Sequence, residues 1–144
     1  MDYPKVFRPR EQGLSKIFGE LEAEIMEIMW DREEATVKDV YEVLRSDREI
    51  AYTTVMTVVG RLSDKGILNK RHSTNKFIYC PACSRDEILE RVSKEVIDGL
   101  MDVGRAPVLS HLTGMMDELK PEELKRLQEE LNKAIANKNK DAGV

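Results

Sequence analysis

The stretch Ala51-Tyr-Thr-Thr-Val-Met-Thr-Val-Val-Gly-Arg-Leu-Ser-Asp-Lys-Gly66 constrains this chain most. Val55, Val58, Val59 and Leu62 recur at i, i+3, i+4 and i+7, which on a helix makes one apolar stripe. Thr53 or Thr54 can cap its start, and Gly66 stands just past its end. The opposite face carries Thr54, Thr57, Arg61 and Asp64, flanked by Met56 and Gly60. Such a face is short-chained, with one cation further along. It can approach the base edges of a groove without bulky side chains in the way. The spacing therefore predicts a helix that buries one face and offers the other to nucleic acid.

What precedes it supports that reading. A helix is expected from about Gly19 to Trp30, with Leu21, Ile25, Ile28 and Met29 on its apolar face. Its many glutamates would repel DNA, so this helix should stay out of a groove, and Trp30 should pack in the core. Asp31 to Ala35 reads as a polar turn. Thr36-Val-Lys-Asp39 resembles a capping box that opens a second helix to about Ser46, with Val37, Val40, Tyr41 and Leu44 apolar. Ile50-Ala-Tyr52 suggests a short strand before the third helix. Three short helices joined by tight turns form the helix-turn-helix pattern.

After Gly66, two β-rich runs, Ile67–His72 and Phe77–Cys80, flank the polar turn 73–76. A hairpin placed there is a wing, and its Lys70, Arg71, His72 and Lys76 would lie over the DNA backbone.

The net charge of −4 runs against nucleic-acid binding until it is divided along the chain. Residues 51–83 hold Arg61, Lys65, Lys70, Arg71 and Lys76 against Asp64 alone, a net of +4, while residues 19–50 carry −7. The positive charge collects where phosphate contacts are needed. Residues 1–16, punctuated by Pro4, Pro9 and Gly13, read as a flexible arm whose Lys5, Arg8 and Arg10 could touch DNA. No apolar run has the length of a bilayer span or a signal peptide, so a cytoplasmic protein with no membrane partner is expected.

Beyond Pro81, Ser84-Arg-Asp-Glu87 is a capping box for a long helix to about Met101. Ile88, Val92, Val96 and Leu100 repeat along it. Gly104 interrupts, Pro107 opens a further helix with Leu109, Leu112 and Met116, and Lys120-Pro121 breaks the chain again. Leu124, Leu127 and Leu131 then follow coiled-coil-like spacing. These helices have more apolar face than a short hairpin of helices buries alone; they could fold back onto the N-terminal domain, but two helix-turn-helix heads held apart to read a palindromic site favour a symmetric dimer, with those ten residues at its interface. The expected organisation is an arm (1–16), a winged helix-turn-helix domain (17–82), a three-helix dimerisation domain (83–137) and a flexible tail (138–144). The fold class is mainly α with a small β-hairpin.

In these stretches, Gly19–Trp30, Thr36–Val40 and Ala51–Gly66, and in a wing ending Tyr79-Cys-Pro81, the sequence resembles the penicillinase repressor (BlaI/MecI) family of transcriptional regulators. The resemblance covers roughly residues 17–135 and implies a repressor that binds an operator of two inverted half-sites as a homodimer. By position it implies that Thr53, Thr54, Thr57 and Arg61 face the groove. Lys65, Lys70, Arg71 and Lys76, with Tyr52 at the helix entry, would meet the backbone. In the β-lactam-responsive members a membrane-bound metalloprotease sensor cuts an Asn-Phe bond in the dimerisation helices. This chain has no Asn-Phe and places Leu112-Thr113 near that position, so the sensor protease is a partner implied by resemblance only. The cysteine-rich copper motif of another branch is also missing from the C-terminal part.

Cys80-Pro-Ala-Cys83 is the remaining chemically suggestive motif. Two thiolates at that spacing can hold one edge of a metal site, with His72 as a possible third ligand, or can form a redox pair. No cofactor is expected; a packed Cys80 and a linker thiol at Cys83 are the simpler reading. The sequence has no phosphate loop, nucleophile elbow or metalloenzyme histidine cluster, so no enzyme is expected. A redox- or metal-responsive regulator and a winged-helix module that docks protein instead of DNA are the alternatives.

Overall fold

A computed structural model describes residues 13–143. The arm's Lys5, Arg8 and Arg10 lie outside the described residues. In chain order come a short 3-10 turn (Gly13–Lys16), α1 (Glu20–Arg32), α2 (Val37–Arg45), α3 (Tyr52–Asp64), β1 (Leu68–Ser73), β2 (Lys76–Pro81), α4 (Arg85–Val103), α5 (Arg105–Gly114), a second 3-10 turn (Met115–Glu118) and α6 (Pro121–Ala142). Two compact units result, one ending at Ile97 and one beginning at Asp98. The division falls inside α4, fifteen residues later than the expected boundary at 82/83.

The first unit is built around a single core. Ile25, Met26 and Met29 of α1, Val40 of α2, Val55, Val59 and Leu62 of α3, and Ile67 and Leu68 are almost completely removed from solvent. The first unit departs from the sequence reading in three places. Leu14, Ile17 and Phe18 are core residues, so the chain is ordered from within the expected arm. One turn of apolar residues at i, i+3 and i+4 is too short to register as a period, yet long enough to lid a core. The second departure is at α4, where Ile88 and Val92 are buried in this same core and Val96 packs against it. Ile88 and Val92 therefore face their own chain, where the sequence reading places them at a dimer interface. A repeat of apolar residues shows that one helix face is buried, and only the fold shows against what. Third, no strand forms at Ile50–Tyr52; Ala51 is the extended N-cap of α3.

Local signals explain the helix ends. The Thr36 box forms as read: the Asp39 N–H donates to Thr36 Oγ1 at 3.1 Å, and the Thr36 N–H donates to Asp39 Oδ2 at 2.9 Å. The box at α4 closes likewise, Glu87 N–H to Ser84 Oγ and Ser84 N–H to Glu87 Oε2, each at 3.1 Å. Thr53 and Thr54 do not cap α3; they lie inside its first turn, and no side chain caps that end. The far end of α3 closes on Gly66 at φ +76°, with the Gly66 N–H on the Ser63 carbonyl and the Ile67 N–H on the Leu62 carbonyl, both 2.9 Å. That double closure needs a left-handed residue, which glycine supplies without steric cost.

The hairpin pairs antiparallel from Leu68↔Pro81 to Ser73↔Lys76 around Thr74 and Asn75, both at positive φ. Such a turn matches the right-handed twist of its strands. Ala35 and Tyr79 exchange two backbone hydrogen bonds of 2.9 Å, which tie the α1–α2 turn to the hairpin. The wing is thus fixed to the helix-turn-helix, as one more rung of sheet.

In the second unit α5, the second 3-10 turn and α6 contain no buried residue. α6 also continues through Ala142, so residues 138–142 are helical where a frayed tail is expected. Pro121 at its first turn and Glu122 and Glu123 beside the positive end of the helix dipole favour its start.

Candidate nucleic-acid interface

α3 presents two faces. Val55, Val58, Val59 and Leu62 are sunk in the core. Thr53, Thr54, Thr57 and Arg61 are exposed and together line a shallow depression of about 280 Å³. The burial of one stripe fixes the rotation of the helix, so the four polar side chains are held outward together. Thr57 Oγ1 donates to the Thr53 carbonyl at 2.8 Å, which fixes the hydroxyl and leaves its lone pairs and methyl outward. Arg61 has no ion-pair partner among the described residues.

The other flank of α3 turns toward the wing. Tyr52 is half-exposed and meets Tyr41 edge-on, ring centroids 5.3 Å apart. Beside it, Met56 and Phe77 are exposed to 49% and 46%, although both are large and apolar. Lys70 Nζ sits 4.0 Å from the centre of the Phe77 ring, and His72 meets that ring edge-on at 5.1 Å. Lys76 joins Tyr52, Met56 and Phe77 in lining a cleft between α2, α3 and the hairpin.

Two expected cations are already paired. Lys65 Nζ lies 3.5 Å from Glu22 of α1, and the Arg71 guanidinium lies 2.8 Å from Glu34. Both pairs are solvated and weak. Arg71 faces away from Lys70 and His72 because adjacent residues of a strand point to opposite sides. Sequence reasoning grouped all five cations by position; strand alternation separates them. It missed Phe77 as a surface residue. The signal was present, since Phe77 shares a strand face with buried Tyr79 but lies next to the turn, beyond the reach of the core.

Cys83 is buried, and burial pushes its thiol pKa up, which disfavours the reactive thiolate. Its carbonyl accepts the Trp30 indole N–H at 3.0 Å, so this segment anchors α1 to the start of α4. Cys80 is half-buried. Among the described residues no three His, Cys, Asp or Glu side chains gather as a metal site, so His72 does not complete one with the cysteines. Among the described residues no helix is long and apolar enough to cross a membrane.

Three helices followed by an anchored hairpin, with a polar outer face on the third helix, define a winged helix-turn-helix protein. The sequence model of the penicillinase repressor matches residues 18–133. The transcriptional regulator BlaI of Mycobacterium tuberculosis is 32% identical over 122 residues, covering 83% of this chain and 88% of that protein. The methicillin resistance regulatory protein MecI of Staphylococcus aureus is 24% identical over 112 residues, 78% of this chain and 90% of that one. Among solved structures, the DNA-binding domain of the repressor BlaI aligns with a TM-score of 0.44 and 24% identity over 52% of this chain and 90% of that domain. The chain belongs to the penicillinase repressor family, a family of DNA-binding transcriptional regulators and not of enzymes.

Proposed function

We propose that this protein represses transcription by binding, as a homodimer, an operator made of two inverted half-sites. The observation that carries the reading is the outward row Thr53, Thr57 and Arg61 on a helix locked by its buried valines. In this reading α3 lies in the major groove. Threonine hydroxyls and methyls meet base edges there, and Arg61 meets a phosphate or a guanine edge. The hairpin lies over the adjacent backbone, with Lys70 and Lys76 toward phosphates. Lys65 and Arg71 contribute only if DNA draws them from Glu22 and Glu34.

The dimer is supported by the second unit. Leu109, Leu112, Met116, Leu124, Leu127 and Leu131 expose between 38% and 57% of their surface. Met116, Pro121, Leu124, Leu127 and Leu131 line one apolar concavity of about 620 Å³. Water-exposed leucines on this scale are costly at roughly 25 cal/mol per Å² of apolar surface. A second copy covers the same face on both chains by two-fold symmetry. It would also hold two recognition helices about 34 Å apart, as an inverted repeat requires.

The test is selection of bound genomic DNA by the purified protein at two salt concentrations. An inverted repeat that persists at the higher salt supports the reading. Binding that collapses uniformly with salt and enriches no motif overturns it, and points to a winged helix that docks protein.

A further inference from the structure

The cleft between α2, α3 and the hairpin has a composition that phosphate binding alone does not explain. It encloses about 330 Å³, and Val37, Tyr52, Met56 and Phe77 form its apolar wall. Lys38 and Lys76 line it as well. Lys38 is exposed at the start of α2, and neither lysine has an ion-pair partner among the described residues. A half-exposed phenylalanine at a wing tip is costly in water unless something covers it. Here it is also held: Lys70 lies over one side of the ring at 4.0 Å and His72 abuts its edge at 5.1 Å. The ring is therefore preorganised to receive a surface.

We propose that this cleft cradles the sugar edge of one DNA strand, with Phe77 and Met56 packed on deoxyribose carbons and Lys38, Lys70 and Lys76 on the flanking phosphates. The inference rests on the operator-binding reading above and adds an apolar component to it. Charge complementarity favours this occupant, because two lysines line the apolar cleft, a third, Lys70, lies against its Phe77 ring, and the cleft has no acidic lining residue. Continuity favours it too, since Tyr52 belongs both to the cleft and to the recognition helix. A deoxyribose strand offers that alternation, apolar ring carbons between phosphates. The cradle fixes register on the duplex and reads no base directly.

The test uses the full chain and the DNA fragment recovered in the selection experiment. Affinity is measured for wild type, Phe77→Ala, Met56→Ala and Lys76→Gln over a range of salt. Phe77→Ala and Met56→Ala are each expected to weaken binding roughly tenfold at every salt concentration, leaving the slope of log affinity against log salt unchanged. Lys76→Gln is expected to reduce that slope by about 0.9, the loss of one phosphate contact. If Phe77→Ala changes the slope instead, the ring serves only to position Lys70 and the cradle is overturned. Unchanged affinity in both Phe77→Ala and Met56→Ala also overturns it, while leaving operator binding intact. If wild type selects no DNA, the parent reading has failed instead. Met56 lies on α3, so its variant decides the matter even if Phe77→Ala disturbs the hairpin.

Discussion

Ile88→Ala decides whether the start of α4 belongs to the winged-helix core or to a dimer interface. Ile88 is fully buried within a single chain. The substitution deletes three carbons, worth roughly 2.4 kcal/mol at about 0.8 per buried methylene. A cavity term adds to this to the extent that the core fails to relax, giving a loss of about 2–5 kcal/mol. With a urea slope of about 2 kcal/mol/M, in the middle of the usual range, the unfolding midpoint should fall by about 1–2.5 M. Trp30 is the single tryptophan and reports on this region directly, because its indole N–H is held by the carbonyl of Cys83, five residues before Ile88. Its fluorescence in urea is thus the natural assay, with sedimentation equilibrium in buffer alongside. Ile88→Ala should lower the midpoint and leave the dimer dissociation constant where it was. A normal midpoint with a weakened dimer would refute the assignment of Ile88 to its own chain's core.

Leu131→Asp should do the reverse: it places a charge on the exposed apolar face of α6, so it should yield monomers on gel filtration with the Trp30 midpoint little changed. Elution at the dimer position would count against that face. Arg61→Ala should cost about 1–3 kcal/mol of operator affinity in a binding titration with no change in thermal midpoint, since the side chain is exposed; equal affinity would show that this part of α3 does not meet DNA. Thr36→Ala should cost about 1 kcal/mol in urea unfolding through loss of the α2 cap. The Thr36 backbone N–H, then its hydroxyl, hold the Asp39 carboxyl below its ordinary pKa of 3.8, so this contribution is present above about pH 4 and is lost as pH falls through the lower folded value. Asp39→Asn should remove that part of the acid dependence, and an unaltered acid limb would exclude it.

Much of the fold follows from short-range chemistry and was legible in the residues alone. The valine stripe of α3, the Thr36 and Ser84 boxes, Gly66 and the turn 73–76 each act within a few positions. Their outcome needs no knowledge of distant neighbours. The outward face of α3 was legible for the same reason: once Val55, Val58, Val59 and Leu62 are buried, helical geometry alone turns Thr54, Thr57 and Arg61 outward.

What the sequence could not determine is which surface covers each apolar face. Ile88 and Leu131 sit in similar helical repeats, yet one is fully buried in its own chain and the other is 57% exposed. The same holds for Leu14 in the expected arm, and for Arg71, which strand alternation sends toward Glu34 and away from the cleft. Periodicity encodes the direction of a side chain relative to its own backbone. Its partner is set by the packing of segments far apart in the chain. Only the tertiary structure decided that the first turns of α4 complete the winged-helix core, that Phe77 is left half-exposed at the cleft beside α3, and that the apolar residues of α5 and α6 remain exposed.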